Sequence, residues 1–176
     1  EIFNSLLFRE LGFLAPRTRN LKVKLNNNNH SYLFQEVLAK EMLEYNNFRD
    51  GPIIEPSEDS VFKLARIDNK SWLKKNLQNK IIGSKIISDF NLVLMKAINN
   101  NKLKNLPLNN IFAHATLYDY EQLTNNNLEN IEILSAFEAL VFATNSEHTL
   151  SMNDRRFYYD EIKGFYHAIY YDAEPY

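Results

Sequence analysis

Residues 2–13, "IFNSLLFRELGF", carry apolar side chains at helical spacing. Gly12 falls where that pattern stops, a place that favours a residue without Cβ. In "RNLKVKLN" the pattern changes to period two. Leu21, Val23 and Leu25 alternate with Lys22 and Lys24, with Arg19 nearby, which predicts a half-buried strand. "NNNN" turns the chain, and "HSYLFQE" returns as a second strand, so a hairpin is expected. "VLAKEMLEYNN" follows as a helix with Val37, Leu38, Met42 and Leu43 on one side. "DGPIIEPSEDS", with its glycine and two prolines, reads as irregular, and "VFKLARI" as another short strand.

After Trp72 a polar stretch of Lys and Asn leads to three helical segments: "SDFNLVLMKAINN", "NIFAHATLYDYEQL" and "NIEILSAFEALVFAT". The last is the most apolar and is expected to be the buried one. The chain closes on a tyrosine-rich hairpin, "RRFYYD" and "FYHAIYYD", joined by the turn "EIKG". This order predicts an α+β layout: a small N-terminal sheet with a helix, then a helical second lobe carrying a β-hairpin. Asn recurs in short runs between the periodic segments. It tolerates left-handed backbone, so the runs read as turns and loop tips.

The 176 residues suit one domain or a little more, and 45% hydrophobic residues suffice for a core. Twenty Lys and Arg against 22 Asp and Glu leave a net charge of −2. That balance gives no argument for a nucleic-acid or membrane-surface protein, both of which usually need a basic excess. No Cys is present, which excludes disulfides and thiolate metal sites and fixes no compartment. No apolar run approaches the roughly 18 residues of a membrane span. No signal peptide is visible. The opening reads as mid-helix and the end stops just after a strand, so a fragment of a larger protein is expected.

The chemistry concentrates in "HTLSMNDRRFYYDEIKGFYHAIYYDAE", His148 to Glu174. A hairpin brings its two ends together, so Asn153 or Asp154 at its entry and Asp172 at its exit would converge. Mg²⁺ is a hard cation that takes one or two carboxylates or amides alongside phosphate oxygens and water. Helix, loop, strand, turn, and a strand ending in Asp is also the order around the catalytic loop of protein kinases, where an Asn and an Asp hold magnesium against ATP. Spacing alone serves equally well for acids that cap turns or face solvent.

Most of the chain resembles the spore-coat CotH kinase family, atypical protein kinases with a reduced kinase-like fold. "LFRELGFLAPRTRNLKVKLN" is similar to the family's helix ending in Leu-Gly, its Ala-Pro-Arg-Thr and its strand into an Asn turn. "YLFQEVLAKEMLE" resembles the strand ending in Glu with the helix that follows. "DGPIIEPSED" resembles a Gly-Pro-Ile segment of one branch. The closest likeness is the C-terminal stretch, where that branch shows His-Gly-Leu, then His-Asn-Arg-Arg-Phe-Tyr, and later Pro-Ile-Tyr-Tyr-Asp.

The resemblance implies one partial kinase-like domain over 1–176, with 1–67 as the N-lobe-like part and 68–176 as the start of the C-lobe-like part. It implies ATP with Mg²⁺ or Mn²⁺, a protein substrate, and phosphate transfer to Ser or Thr hydroxyls. Asp172 falls on the family's metal-binding Asp, and Asp154 on the Asn of His-Asn, with Asn153 as the ligand if the register slips by one. His148 falls on the first His of the motif. Glu147 is the acid nearest the position of a catalytic base. Glu36 falls on the strand-closing Glu and is expected to orient a basic residue, with Lys22 or Lys24 as partner. Arg155 and Arg156 fall on the Arg pair, to contact phosphate or buttress the loop. The family's His-Asn is Asn153-Asp154 here, and the catalytic Asp has no clear match. A second reading is therefore a catalytically inactive pseudokinase or a binding or surface-assembly module of the same fold.

Overall fold

The computed structural model describes residues 1–56, 65–99, 123–124, 126–151 and 154–173. Helix α1 (Ile2–Glu10) leads into β1 (Thr18–Leu25) and β2 (Asn28–Gln35); α2 (Lys40–Tyr45), β3 (Ile53–Glu55) and β4 (Arg66–Ile67) follow. Then come α3 (Lys70–Lys74), α4 (Leu77–Asn99), α5 (Leu128–Ala143), a 3₁₀ turn (Glu147–Leu150), β5 (Arg156–Asp160) and β6 (Phe165–Ile169). The chain is therefore α+β. The expected helix over "NIFAHATLYDYEQL" lies outside the described residues except at Leu123. The expected strand "VFKLARI" is described only from Ala65 onward.

β1 and β2 pair as a ribbon from Thr18↔Gln35 to Leu25↔Asn28. Asn26 and Asn27 form the turn with φ of 48° and 60°, the left-handed backbone that a two-residue hairpin turn demands. Only the first two asparagines of the expected turn are thus in it; Asn28 and Asn29 belong to β2. Asn47, Asn126 and Asn145 also take positive φ, so the asparagines do serve as turn formers. The ribbon is not the half-buried pair its alternation predicts. Nearly every residue is exposed, Val23, Leu25, Tyr32 and Phe34 included, so most of both faces is uncovered among the described residues.

The second sheet is antiparallel, in the order β4-β3-β5-β6. It takes β3 and β4 from the segment read as the first lobe and β5 and β6 from the second. The "irregular" Gly-Pro stretch supplies β3, an interior strand. Ile54 pairs with Phe157, which pairs with Ala168; Ile53 pairs with Tyr158, which pairs with His167. Side chains alternate across a strand, so these two rows face opposite sides. The Ile54 row packs on Phe90 of α4, whose ring centroid lies 5.5 Å from that of Phe157. The Ile53 row packs on Met42 and Leu43 of α2 and on Phe48. Both faces are covered, which explains strands without clean polar alternation.

Asn69 fixes the entry to β3. Its Oδ1 accepts from Ile53 N at 2.9 Å and its Nδ2 donates to the Gly51 carbonyl at 2.8 Å. A Cβ on Gly51 would come within 2.8 Å of the Tyr158 ring, so this loop can lie on β5 only as glycine. The polar stretch after Trp72 is not a linker. It forms the first turns of α4, whose Ile82, Ile86, Phe90 and Val93 make the inward stripe. Helix α2 starts at Lys40, three residues later than the periodicity indicates, leaving Val37 exposed.

His167 sits inside this framework. Its ring contacts Phe165 at 4.4 Å and Phe48 at 4.9 Å, and burial pushes its pKa down from 6.5 to about 4. The folded protein thus holds a neutral imidazole that the unfolded chain protonates below pH 6.5. The unfolded state binds more protons between those values, so stability is full above pH 6.5 and falls as pH drops toward 4, by about 2–3 kcal/mol. Urea unfolding of the wild type and His167→Phe at pH 7 and pH 4.5 should show a pH-dependent difference of that size. Parallel pH curves for the two proteins would contradict it.

Candidate functional site

Three successive residues tie the exit of β6 to the turn that precedes β5. The Tyr170 hydroxyl meets Ser146 Oγ at 3.4 Å, the Tyr171 backbone N–H donates to Thr149 Oγ1 at 3.1 Å, and His148 Nδ1 lies 3.0 Å from the Asp172 carbonyl. Ser146 and Thr149 are buried. Asn4 of α1 donates to Ser146 Oγ at 2.8 Å and holds this staple from behind. The two ends of the tyrosine hairpin are therefore fastened to each other.

The loop between them folds on itself. Ser151 Oγ donates to Asp154 Oδ2 at 2.5 Å, and Arg155 N donates to the Ser151 carbonyl at 2.9 Å. His148 Nδ1 also lies 3.3 Å from Asp154 Oδ2. Both neighbours of that nitrogen, a carbonyl and a carboxylate, are acceptors, so Nδ1 carries the proton. One imidazole thus spans from the Asp154 carboxylate to the Asp172 backbone. Asp172 takes φ of 44°, a left-handed conformation uncommon for residues other than Gly and tolerated best by Asn, Asp and His. It is the one described non-glycine residue with positive φ that is not Asn.

Beside this pair lies a charge network. Glu55 on β3, its side chain 3% exposed, accepts from Arg156 Nη2 at 2.6 Å and pairs with Arg66 Nε. Arg156 Nε stands 3.9 Å from Asp68, and its guanidinium lies 5.4 Å from the Tyr171 ring centroid. Burial raises the Asp68 pKa and the neighbouring Glu55 raises it further, while Arg156 and Arg66 oppose both. Burial likewise raises the Tyr171 phenol; Arg156 draws it back, and Asp172, Asp68 and Asp154 push it up. Tyr171 thus feels both the Arg156 guanidinium and the acids Asp172, Asp68 and Asp154.

The remaining expected residues are distributed as follows. Glu36 is buried, and Arg17 rather than Lys22 or Lys24 is its partner. The Arg17 backbone N–H and Nε donate to Glu36 Oε2 at 3.1 and 3.0 Å, and Nη2 donates to Oε1. Lys24 pairs across the ribbon with Asn29, six residues along the strand from Thr18 and so roughly 20 Å from the ribbon's base. The expected association of Glu36 with Lys24 is thus excluded by register. Arg155 does not present itself to a cofactor: its side chain is 1% exposed and Nη2 donates to Glu138 of α5 at 2.8 Å. Of the two roles expected for the arginine pair, both residues are built as buttresses. Glu147 opens the 3₁₀ turn half-buried, and no bond joins it to His148, Asp154 or Asp172 among the described residues. Asn153 lies outside the described residues.

Sequence reasoning did not single out Glu55, Arg66, Asp68 or Ser151. Glu55 carried one signal, a lone acid inside the apolar "PIIEP". Ser151 stands three residues before Asp154, the spacing at which a hydroxyl and a carboxylate share a turn. Among the described residues, no group of three His, Cys, Asp or Glu side chains is placed to hold a metal ion, and no helix is long and apolar enough to cross a membrane. A scan against protein-family models matched none, and no curated protein matched the sequence.

Proposed function

We propose that this chain is a CotH-like atypical protein kinase domain that uses Asp154 and Asp172 to present ATP with Mg²⁺ or Mn²⁺ to a protein hydroxyl. The observation that carries the reading is the imidazole of His148 lying between the Asp154 carboxylate and the Asp172 main chain. It supports a hairpin whose two acidic ends serve one site. Two carboxylates are the protein share of a magnesium site that phosphate oxygens and water complete. When bound, the divalent ion supplies neutralisation of phosphate charge. The chain's own residues do the positioning. Ser151 and His148 orient the Asp154 carboxylate through Oδ2, and Oδ1 would be the oxygen offered to the ion. The Arg155–Glu138 pair anchors the loop to α5, and the Thr149–Tyr171 bond fixes the height of Asp172.

A second reading, a nucleotide-binding or surface-assembly module without turnover, is favoured by the enclosure of both arginines and by the Glu36–Arg17 pair, which stands where a lysine was expected among the described residues. One pair of experiments separates the readings. Saturating ATP with Mn²⁺, near 100-fold over Kd, should raise the melting temperature by roughly 5–10 °C, and Asp172→Ala should abolish the shift. Absence of any shift in the wild type would remove nucleotide from the proposal. Given a shift, transfer of labelled γ-phosphate to a protein substrate marks a kinase; its absence marks a module.

A further inference from the structure

A cleft of about 490 Å³ opens at the N-terminal end of α5, the end away from the His148 turn. Small-molecule sites commonly have this size. Its floor is buried and apolar: Leu134 and Phe137 of α5 and Ala168 of β6. Phe13 and Phe48 give it aromatic sides, and the His167 ring completes them. None of these residues belongs to the carboxylate pair or its charge network.

The walls are held open by residues with little side chain. Gly12 forms one wall, at φ of 84°, and a Cβ there would meet nothing within 4 Å. Helix α5 forms the other with Glu129, Glu132, Ile133 and Ala136, the 0, 3, 4, 7 spacing of one helix face. Ala136 is exposed, so a small side chain is all that stands at the middle of that wall.

Charge at the mouth selects the ligand. Two acids, Glu129 and Glu132, and one lysine, Lys163, are among its lining residues. Acids in a first helical turn commonly serve the helix dipole, which accounts for Glu129. Glu132 lies a turn further in and is exposed along the cleft, where the dipole no longer explains it. His167 adds an independent sign. Its Nε2 is buried with no hydrogen-bond partner among the described residues, in a ring that lines the cleft. Buried polar atoms are rarely left so. Aromatic faces, carboxylates and a neutral imidazole together favour a cation with an apolar body over an anion.

We infer that this cleft binds a small organic amine, its aromatic or short aliphatic body on Phe13, Phe48 and Phe137 and its ammonium toward Glu132 and Glu129. The site is independent of the proposed phosphotransfer. The test uses the full chain and two probes of matched body, 3-phenylpropylamine and 3-phenylpropionate, followed by titration calorimetry and by the NMR signals of Ile133, Ala168 and His167. The amine should bind saturably and move those signals. Its affinity should fall about tenfold in Glu132→Gln, the loss of one charge-assisted contact. Ala136→Trp, which fills the cleft from an exposed helix position, should abolish binding without changing the melting temperature. Three outcomes overturn the inference: 3-phenylpropionate binding as well as the amine, amine binding undiminished by Ala136→Trp, or no saturable signal up to about 10 mM.

Discussion

Replacing Glu55 with alanine is expected to lower stability by about 3–5 kcal/mol, the range seen when one partner of a buried ion pair is removed. Glu55 lies on an interior strand, and its carboxylate is shared by Arg156 and Arg66. Arg156 is itself 7% exposed on the side chain, so its charge cannot turn to water once the carboxylate is gone. Glu55→Gln keeps the shape and one acceptor and should lose less. The ordering wild type, Gln, Ala in urea midpoints is the measurement. A loss under about 1 kcal/mol in the alanine variant would mean that water replaces the carboxylate and that the network is a surface feature. Because Arg156 also lies against Tyr171, the alanine variant should loosen the Asp172 end as well. Hydrogen exchange at Tyr171 would report that.

Phe8→Ala should cost a similar amount, about 3–5 kcal/mol, by a different route. Phe8 is fully buried, and its ring centroid lies 4.3 Å from Tyr170, 5.3 Å from Phe137 and 5.9 Å from Phe13. It joins α1 to α5 and to the exit of β6. Truncation leaves a ring-sized void among three aromatics that cannot all close on it. Denaturant unfolding should show an earlier midpoint with an unchanged slope, since the folded surface is nearly the same. Phe8→Leu should recover much of the loss. A near-neutral alanine variant would show that α1 packs on the body loosely.

The closing hairpin, α1 and α5 were legible because each is long enough for its period to show, and the two turns that matter locally, Asn26-Asn27 and Glu161–Gly164, are written in turn residues. β3 was not. A three-residue strand buried on both faces has no alternation to read, and the prolines around it argue for a loop. α4 was half-read: its stripe from Ile82 to Val93 is present in the sequence, but Lys and Asn between those positions dilute it. The ribbon was read correctly as a hairpin and wrongly as half-buried, since alternation reports which residues share a face and not whether anything covers that face. At the candidate site, the meeting of the hairpin's two ends followed from hairpin geometry, and the Thr149–Tyr171 and His148–Asp172 bonds are its form in the structure. The partners of Glu36 and Arg155 did not, because an ion pair between distant segments is set by register and by helix placement, which no local pattern encodes. Asp68 was invisible for the same reason, and the lone acid Glu55 in an apolar stretch announced burial without naming its partners.

The β1–β2 ribbon has one more implication. Its strands satisfy each other's main-chain groups on the inner side, and the Arg17–Glu36 clamp closes its base. An appendage anchored in this way can be trimmed, extended or rewritten at its tip while the body beneath it keeps its shape. Natural variation in this protein should therefore gather at Lys22–His30 and spare Arg17 and Glu36, leaving the tip free to change with whatever surroundings the molecule meets.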